Sequence, residues 1–129
     1  MPRSRSRTSP SEQRIAAHRQ GHRGETLAAF FLQLKLYRLR DRRFKTPVGE
    51  IDIVAEKGGC LVFVEVKSRG RNADEAMALG AVNQSRISRA AQYWLARHPK
   101  ENAKDIRFDV IFLAPGRWPR HLINAFPAV

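Results

Sequence analysis

Residues 49–67 read GEIDIVAEKGGCLVFVEVK, and this stretch decides the fold of the chain. It contains two apolar runs joined by Gly58-Gly59. A glycine pair between two such runs is typical of a two-residue β-hairpin turn, because both glycines can adopt positive φ. A turn at this pair makes Lys57 the partner of Cys60, so the sequence predicts two adjacent antiparallel strands in a defined register.

The predicted register brings acidic residues together. Counting outward from the turn along an antiparallel ladder places Asp52 opposite Glu65. The same count places Glu50 opposite Lys67. The hydrophobic pattern supports this register, since a slip of one residue would mix polar and apolar side chains on both faces. One face then carries Ile51, Ile53, Ala55, Val62, Val64 and Val66, and the other carries Glu50, Asp52, Val54, Phe63, Glu65 and Lys67.

The pairing of Asp52 with Glu65 has an electrostatic cost. Directly opposed residues have Cβ atoms about 5 Å apart, and two carboxylates at that distance repel by roughly 3 kcal/mol at an effective dielectric constant of about 20. A divalent cation between them would turn this repulsion into ligation, and carboxylate oxygens suit Mg²⁺ or Mn²⁺. The alternative is that one acid pairs with Lys67 or with an arginine and that both acids are partly solvated.

The chain is strongly basic. Its 129 residues suit one domain, and a hydrophobic fraction of 43% is enough for a core. The net charge of +12 indicates a polyanionic partner, most simply nucleic acid. Residues 1–14 hold four arginines and one glutamate, so they contribute +3 and leave +9 for the rest of the chain. We expect a disordered basic arm over residues 1–14 and a single domain over residues 15–129.

The sequence argues against a membrane-bound protein, a secreted protein and a protein with disulfides or a Cys-rich zinc site. An anionic membrane surface would also attract the positive charge, but no long amphipathic helix with a wide hydrophobic face supports membrane binding. No apolar run is long enough to span a bilayer, and no hydrophobic signal-peptide core is present. The single cysteine, Cys60, excludes an internal disulfide and a Cys-rich zinc site. We therefore expect a soluble, cytoplasmic protein that does not bind membranes.

Hydrophobic periodicity predicts the remaining elements. A helical pattern runs from Glu12 to about Leu36, with a start near Gly24, and a second amphipathic helix ends before Pro99. The predicted order is helix, three strands, helix, and one or two strands, which gives an α/β domain with a mixed sheet flanked by helices. The arginines between Arg38 and Arg43 are expected at a solvated edge that attracts DNA. The apolar face of the first helix is expected to consist of Leu27, Phe30, Phe31 and Leu34, and Phe30 and Trp94 are expected in the core. Strands are expected at Tyr37–Lys45, Ile106–Leu113 and His121–Phe126. A short helix is expected at Asp74–Met77 and the second helix at Asn83–His98.

Several motifs are shared with a known family. The block Gly49–Val54 followed by the block Leu61–Arg69 is far more specific than an isolated Glu-x-Lys pattern. Further matching positions are Gly24, Glu25, Ala28, Tyr37, Phe44, Lys45, Arg86, Ile87, Arg89, Ala90 and Ala91. With these residues, the chain resembles the UPF0102 (YraN-like) family over roughly residues 21–114. That family looks like a member of the PD-(D/E)xK nuclease superfamily and is close in kind to archaeal Holliday-junction resolvases.

The resemblance implies a restriction-endonuclease-like core, with a mixed four- to five-stranded sheet and a helix on each side. It implies that Asp52 and Glu65 are the acids of a metal site and that Lys67 is the catalytic lysine. It also implies that Glu25 is a helical acid that joins the site. The backbone carbonyl of Val66 would be a further metal ligand.

Residues around this site also have expected roles. The resemblance associates Gln84 in the second helix with the site, and Glu50 is expected to support the site from its place opposite Lys67. This chain has Asn83 where the family usually has a lysine, which weakens the expectation that the second helix supplies a cation there. Candidate phosphate contacts, with a solvated helix surface as the alternative for the last two, are Arg69, Arg86 and Arg89.

The implied function is hydrolysis of DNA phosphodiester bonds. Asp52, Glu65 and the Val66 carbonyl would hold Mg²⁺ or Mn²⁺, and Lys67 would orient the attacking water. By analogy with resolvases, we expect a structure-specific endonuclease that acts on branched DNA, and a homodimer. The alternative is a non-catalytic nucleic-acid-binding module that keeps the nuclease fold and serves DNA repair, recombination or uptake.

Overall fold

The computed structural model describes residues 24–68 and 75–128. The predicted basic arm over residues 1–14 and the predicted phosphate contact Arg69 lie outside these ranges. Residues 24–34 are helical and are called α1. The other elements are the strands β1 (Arg38–Thr46), β2 (Gly49–Lys57) and β3 (Cys60–Ser68), the helices α2 (Glu75–Gly80) and α3 (Gln84–Arg97), a 3-10 turn (Pro99–Glu101), and the strands β4 (Asp105–Leu113) and β5 (Arg120–Phe126).

The five strands of the described ranges form one sheet in the order β1-β2-β3-β4-β5. Neighbouring strands are antiparallel except β3 and β4, which are parallel. Parallel neighbours need a crossover connection, and α2 and α3 lie in that connection. α3 packs on one face of the sheet and α1 on the other. The predicted α/β class is confirmed, and the architecture is consistent with a restriction-endonuclease-like fold. Within the described ranges, no helix has the length and apolar character needed to cross a membrane.

The predicted hairpin is confirmed. Lys57 pairs with Cys60 across the turn, and Gly58 and Gly59 have φ angles of 60° and 78°. Within the described part of the chain, no atom lies within 4 Å of the position that a Cβ would take on either glycine. The positive φ angles, not a lack of space, therefore require glycine at this turn.

Two hydrophobic cores lie on the two faces of the sheet. The core beneath α3 centres on Trp94, which is fully buried as expected. The ring of Phe63 meets that of Trp94 at a centroid distance of 5.8 Å, and Phe108 packs on Phe63 at 5.7 Å. The smaller core beneath α1 consists of Ala28, Ala29, Leu32, Tyr37, Ile53, Ala55, Val62, Val64, Ile111 and Leu113.

Of the four residues expected on the apolar face of α1, Phe31 packs against the core, but the prediction is wrong for the other three, including Phe30, which was expected in the core. Leu27, Phe30 and Leu34 are 51%, 58% and 62% exposed. The helix lies close to the sheet at its start, where a Cβ on Gly24 would lie 2.8 Å from Oγ of Ser68. Small residues suit such a close approach. The residues that α1 buries instead are Glu25, Ala28, Ala29 and Leu32.

The sequence suggested that the arginines of β1 form a solvated edge, but several of them form ion pairs within the protein. Arg40 forms ion pairs of 2.7 Å with Glu56 and 2.8 Å with Glu101. Two further arginines of the strand bind α1, as described below. Internal ion pairs thus use part of the positive charge that was expected to attract DNA.

A buried acid, Asp109, ties β4 to its neighbours. Its carboxylate accepts hydrogen bonds of 2.8 Å from Nε and Nη2 of Arg107. It also accepts a 2.9 Å bond from the backbone N–H of Asn124 and lies 2.7 Å from Nε2 of His121. The other ring nitrogen of His121 lies 2.7 Å from Nζ of Lys35. Because an ammonium can only donate, His121 accepts through Nδ1 and donates through Nε2 to Asp109.

These donors decide the charge of Asp109. Burial alone would raise the pKa of this carboxyl, but the hydrogen bonds from His121, Arg107 and a backbone N–H outweigh burial and lower the pKa. The hydrogen bonds between Arg107 and Asp109 also raise the pKa of the Arg107 guanidinium. Asp109 is therefore an ionised acid whose partners stabilise its charge.

Candidate active site

Asp52 and Glu65 meet just beyond the end of the β2–β3 ladder. The pair Ile53–Val64 ends that ladder, and each acid is the next residue on its strand. The Asp52 carboxylate accepts a 2.8 Å hydrogen bond from the backbone N–H of Val66 and shares a hydrogen bond with the Glu65 carboxyl. The structure therefore brings together the two acids that the sequence placed opposite one another.

The contact between the acids perturbs Asp52. Burial is the main cause that raises the pKa of Asp52, and the charge and hydrogen bond of Glu65 raise it further. The N–H of Val66 opposes this effect and the charge of Glu25 adds to it, so that the pKa is raised to about 8. With a pKa of about 8, the Asp52 carboxyl keeps its proton at neutral pH and shares it with Glu65 through the hydrogen bond between them.

Lys67 lies two residues beyond Glu65 on the same strand. Its Nζ is 3.4 Å from Oε2 of Glu65, and its side chain is 20% exposed. Alternation along a strand puts both side chains on one face of β3. The sequence paired Lys67 with Glu50 across β2 and β3, but the β2–β3 ladder ends at Ile53–Val64, before it reaches these two residues. The ion pair of Lys67 in the described part of the chain is therefore with Glu65 and not with Glu50.

β2 changes the core that it contacts at Asp52. Ile51 packs in the core beneath α3 and Ile53 in the core beneath α1, so the expectation that both lie on one apolar face is wrong. In the neighbouring strand, Arg43 lies between the partners of Ile53 and Ile51 and has a φ of 51°. This conformation is uncommon outside glycine and marks an irregular strand pair. Such irregularities re-aim side chains, and this one lies beside Asp52.

Glu25 approaches the acid pair from α1, and its charge contributes to the raised pKa of Asp52. Its own carboxylate accepts hydrogen bonds of 2.5 Å from Nε of Arg42 and 3.0 Å from Nη1 of Arg43. Sequence reasoning missed these partners, which are 17 and 18 residues away along the chain. The structure thus brings the predicted helical acid to the edge of the site, but with arginines bound to both of its oxygens.

α3 closes over the start of β2 at Gly49. This residue has a φ of 148°, and a Cβ on it would lie 2.7 Å from Cδ of Arg86, so both the backbone and the available space require glycine. The buried Nε of Arg86 has no hydrogen-bond partner among the residues that the structure describes. An unpaired buried donor costs roughly 1–3 kcal/mol, so an oxygen ligand near Gly49 would stabilise Arg86.

The N-terminus of α3 explains one departure from the family pattern. Asn83, where a lysine is usual, is the N-cap, and its side-chain oxygen accepts a 3.0 Å hydrogen bond from the backbone N–H of Arg86. Asparagine is a preferred N-cap, so this role could have been read from the sequence. Gln84, the first residue of the helix, is half-buried, and Arg89 is exposed.

The donor atoms at the acid pair fit a hard divalent cation. No group of three or more His, Cys, Asp and Glu side chains in residues 24–68 and 75–128 is arranged to hold a metal ion. Asp52 and Glu65 supply two carboxylates, and Val66 adds a carbonyl, since the N–H and C=O of a strand residue face the same neighbouring strand. Mg²⁺ commonly binds through one or two carboxylates and keeps several waters, which matches this small set.

The chain is similar to a group of proteins with a shared family name. The family model described as "Uncharacterised protein family UPF0102" matches residues 24–113. A "UPF0102 protein" of Rhodopseudomonas palustris (strain BisA53) is 50% identical over 119 residues, which cover 92% of each chain. One of Parvibaculum lavamentivorans is 50% identical over 112 residues, covering 87% of this chain and 84% of the relative. One of Chelativorans sp. is 46% identical over 115 residues, covering 89% and 93%. These names state a family and no activity.

Proposed function

The chain belongs to the UPF0102 family, and we propose that it is a metal-dependent DNA endonuclease that hydrolyses phosphodiester bonds in branched DNA. The observation that carries the proposal is the burial of Asp52 against Glu65: burial, together with the charge and hydrogen bond of Glu65, raises the pKa of Asp52 to about 8. An acid placed against another acid destabilises a fold, and strongly perturbed titratable groups cluster at functional sites. Lys67 beside the pair completes a set of groups suited to phosphate chemistry.

Each group of the site has a proposed role. Asp52, Glu65 and the carbonyl of Val66 would hold Mg²⁺ or Mn²⁺, with release of the proton that the two acids share. The bound cation would polarise the scissile phosphate and lower the pKa of the attacking water. Glu65 keeps Nζ of Lys67 within 3.4 Å of its carboxylate, so the amine has a defined place. From there it would orient the water and offset negative charge on the phosphate.

Positive charge supports DNA as the substrate. The net charge of +12 gives the chain a long-range attraction for polyanions. We assign phosphate contacts to Nε of Arg86, which has no partner in residues 24–68 and 75–128, to the exposed side chain of Arg89, and to Arg69. Because phosphate contacts release counterions, the affinity for DNA should fall steeply between low and moderate salt.

Cleavage assays with supercoiled, linear, single-stranded and four-way-junction DNA test the proposal. We expect cleavage that depends on Mg²⁺ or Mn²⁺ and that falls by about 100-fold or more in Asp52→Asn and Lys67→Ala, while DNA binding is kept. Asp105→Asn and Lys100→Ala, which change exposed residues of the same types, are matched controls and should cleave like the wild type. Cleavage that survives Asp52→Asn would overturn the assignment.

One observation favours a second candidate, a non-catalytic nucleic-acid-binding module with a nuclease-like fold that serves DNA repair, recombination or uptake. Arg42 and Arg43 bind the carboxylate of Glu25, so the third acid expected at the site is engaged elsewhere. A module of this kind would bind DNA in the same assays without cleaving any substrate in the presence of either metal. Cleavage that Asp52→Asn abolishes would exclude it.

A further inference from the structure

The connection between β4 and β5 presents a tryptophan to solvent. Trp118 is 83% exposed, whereas Trp94, the other tryptophan of the chain, is fully buried. An exposed indole forgoes the hydrophobic stabilisation that burial would give it. Arg117, directly before it, is also exposed. The loop therefore offers a flat aromatic surface next to a positive charge.

This loop is restrained by its own backbone. The N–H of Arg117 donates to the carbonyl of Ala114 at 3.3 Å, and Gly116 has a φ of 73°. Pro115 and Pro119 restrict the backbone on both sides of the exposed ring. A restrained loop loses little conformational entropy on binding, so the ring is presented for contact at low cost.

The loop lies at the same end of the sheet as the acid pair. Lys67 pairs with Phe112 across the parallel β3–β4 ladder, and Phe112 pairs with Arg120 across the β4–β5 ladder. Neighbouring strands are about 4.8 Å apart, which places the backbone of Arg120 about 10 Å from that of Lys67. Trp118 precedes Arg120 by two residues. A DNA strand held at the acid pair would therefore reach the indole ring within a few nucleotides.

We propose that Trp118 stacks on an unpaired base of the DNA bound at the acid pair, so that the preferred substrate has single-stranded DNA next to the scissile bond. The proposal rests on the proposed function and narrows its substrate class. Aromatic rings bind single strands by stacking on their bases, and this stacking tolerates any sequence. In an intact duplex the bases are stacked inside the helix and offer the ring no free face.

Charge and surface shape favour nucleic acid over other partners for this loop. Arg117 and the net charge of +12 complement phosphates. To bind a protein partner, the loop would need an exposed apolar patch, and to bind a membrane it would need a wide hydrophobic face. The loop instead exposes one aromatic ring bordered by prolines and arginines, which suits a single base.

Tryptophan fluorescence of the full-length protein tests the stacking, with EDTA present so that cleavage cannot occur. We expect single-stranded DNA and a forked duplex to quench the emission of Trp118 and a blunt duplex of the same length to leave it unchanged. Trp94 gives a constant signal, because it is buried and stacks on His98 with ring centroids 3.8 Å apart. Trp118→Phe should therefore lose the quenching.

Affinities of variants give a second readout. Trp118→Ala should weaken binding of single-stranded and forked DNA by about 10-fold or more, and binding of blunt duplex by less than about twofold. Trp118→Phe keeps an aromatic ring and should recover part of the loss. Phe30→Ala removes another exposed aromatic ring, 58% exposed on α1, and is the matched control that should change neither affinity.

Three outcomes would overturn the stacking proposal. The first is an unchanged affinity for single strands in Trp118→Ala, and the second is an equal loss for single-stranded and duplex DNA. The third is quenching by phosphatidylserine vesicles, or by raised protein concentration, without quenching by DNA, which would indicate a membrane or a second copy as the partner. Quenching by single strands without cleavage under any metal would instead contradict the nuclease proposal alone.

Discussion

Two aspartates of the same sheet differ in the partners that the fold gives them. Asp109 on β4 receives hydrogen bonds from Arg107, His121 and a backbone N–H, and its pKa is lowered. Asp52 on β2 receives a single backbone N–H in the described part of the chain and otherwise faces Glu65, and its pKa is raised to about 8. One acid is therefore stabilised as an anion, and the other is held where its anion is unfavourable.

This difference separates a structural acid from a candidate functional one. Asp109 lies in the larger cluster of titratable groups, yet every contact there balances its charge. Asp52 has fewer polar neighbours, and the strongest of them repels it. Natural folds tolerate such a conflict where a function requires it. What distinguishes the candidate site from the surroundings of Asp109 is therefore that the charge of its buried acid is not balanced.

The largest effect on stability is expected from Asp109. Asp109→Asn would remove the counterion of Arg107 and the hydrogen-bond acceptor of His121, and breaking a largely buried ion pair should lower the free energy of unfolding by about 3 kcal/mol or more. Urea denaturation at neutral pH measures this change. Asp105→Asn, at the exposed start of the same strand, should change stability by less than about 0.5 kcal/mol. A loss below about 1 kcal/mol in Asp109→Asn would show that the network resembles an exposed ion pair in strength.

Replacing Asp52 should have a smaller effect than replacing Asp109, and it should raise stability at neutral pH instead of lowering it when divalent cations are absent. Its folded-state pKa of about 8 exceeds the usual 3.8, so between these values the folded protein keeps a proton that the unfolded chain has lost. Stability therefore falls as pH rises through this window, by about 2 kcal/mol between pH 6 and pH 8. Asp52→Asn should remove this fall, as measured by urea denaturation in EDTA. Parallel pH profiles for the wild type and the variant would contradict the raised pKa.

The lowered pKa of Asp109 has the opposite consequence. Its contribution to stability is present above the usual aspartate range and is lost as pH falls through that range and below it. The two aspartates should therefore limit stability at opposite ends of the pH scale, Asp109 in acid and Asp52 in mild alkali. Acid titration of the wild type and Asp109→Asn, which lacks this loss, separates the two effects.

The smallest effect is expected from Mg²⁺. A cation that binds the ionised acid pair competes with the shared proton, so Mg²⁺ should stabilise the protein more at pH 8 than at pH 6. At several times its dissociation constant, the gain should be about 1 kcal/mol. Thermal unfolding at matched ionic strength measures it, and Asp52→Asn should abolish it. An equal effect of Mg²⁺ at both pH values, or in the variant, would place the cation elsewhere.

The hairpin that carries the acid pair was predictable because its determinants are local. Gly58-Gly59 sets the turn, and alternation of apolar residues sets the register that the ladder confirms. α3 was predictable for a similar reason, since its apolar periodicity stops before Pro99 and Asn83 is a suitable cap. In each case the signal lies within a few residues of the feature that it determines.

The errors arose where a distant element decides the outcome. α1 has apolar residues on two faces, and its packing against the sheet determines which face is buried. Ile51 packs in the unexpected core next to Phe44, its partner on another strand, beside the irregular backbone of Arg43. The arginines that bind Glu25 and the network around Asp109 join residues that are far apart in the chain. No local pattern reports such contacts.

The parallel pairing of β3 with β4 also has a consequence for how the molecule forms. Lys57 and its partner Cys60 are three positions apart, whereas Cys60 and its partner Asp105 are 45 positions apart. Closing the longer segment costs more chain entropy and slows pairing. The β2–β3 hairpin can therefore assemble early, before β4 arrives beside it. Docking of β4 is then the step expected to limit the rate at which the protein folds.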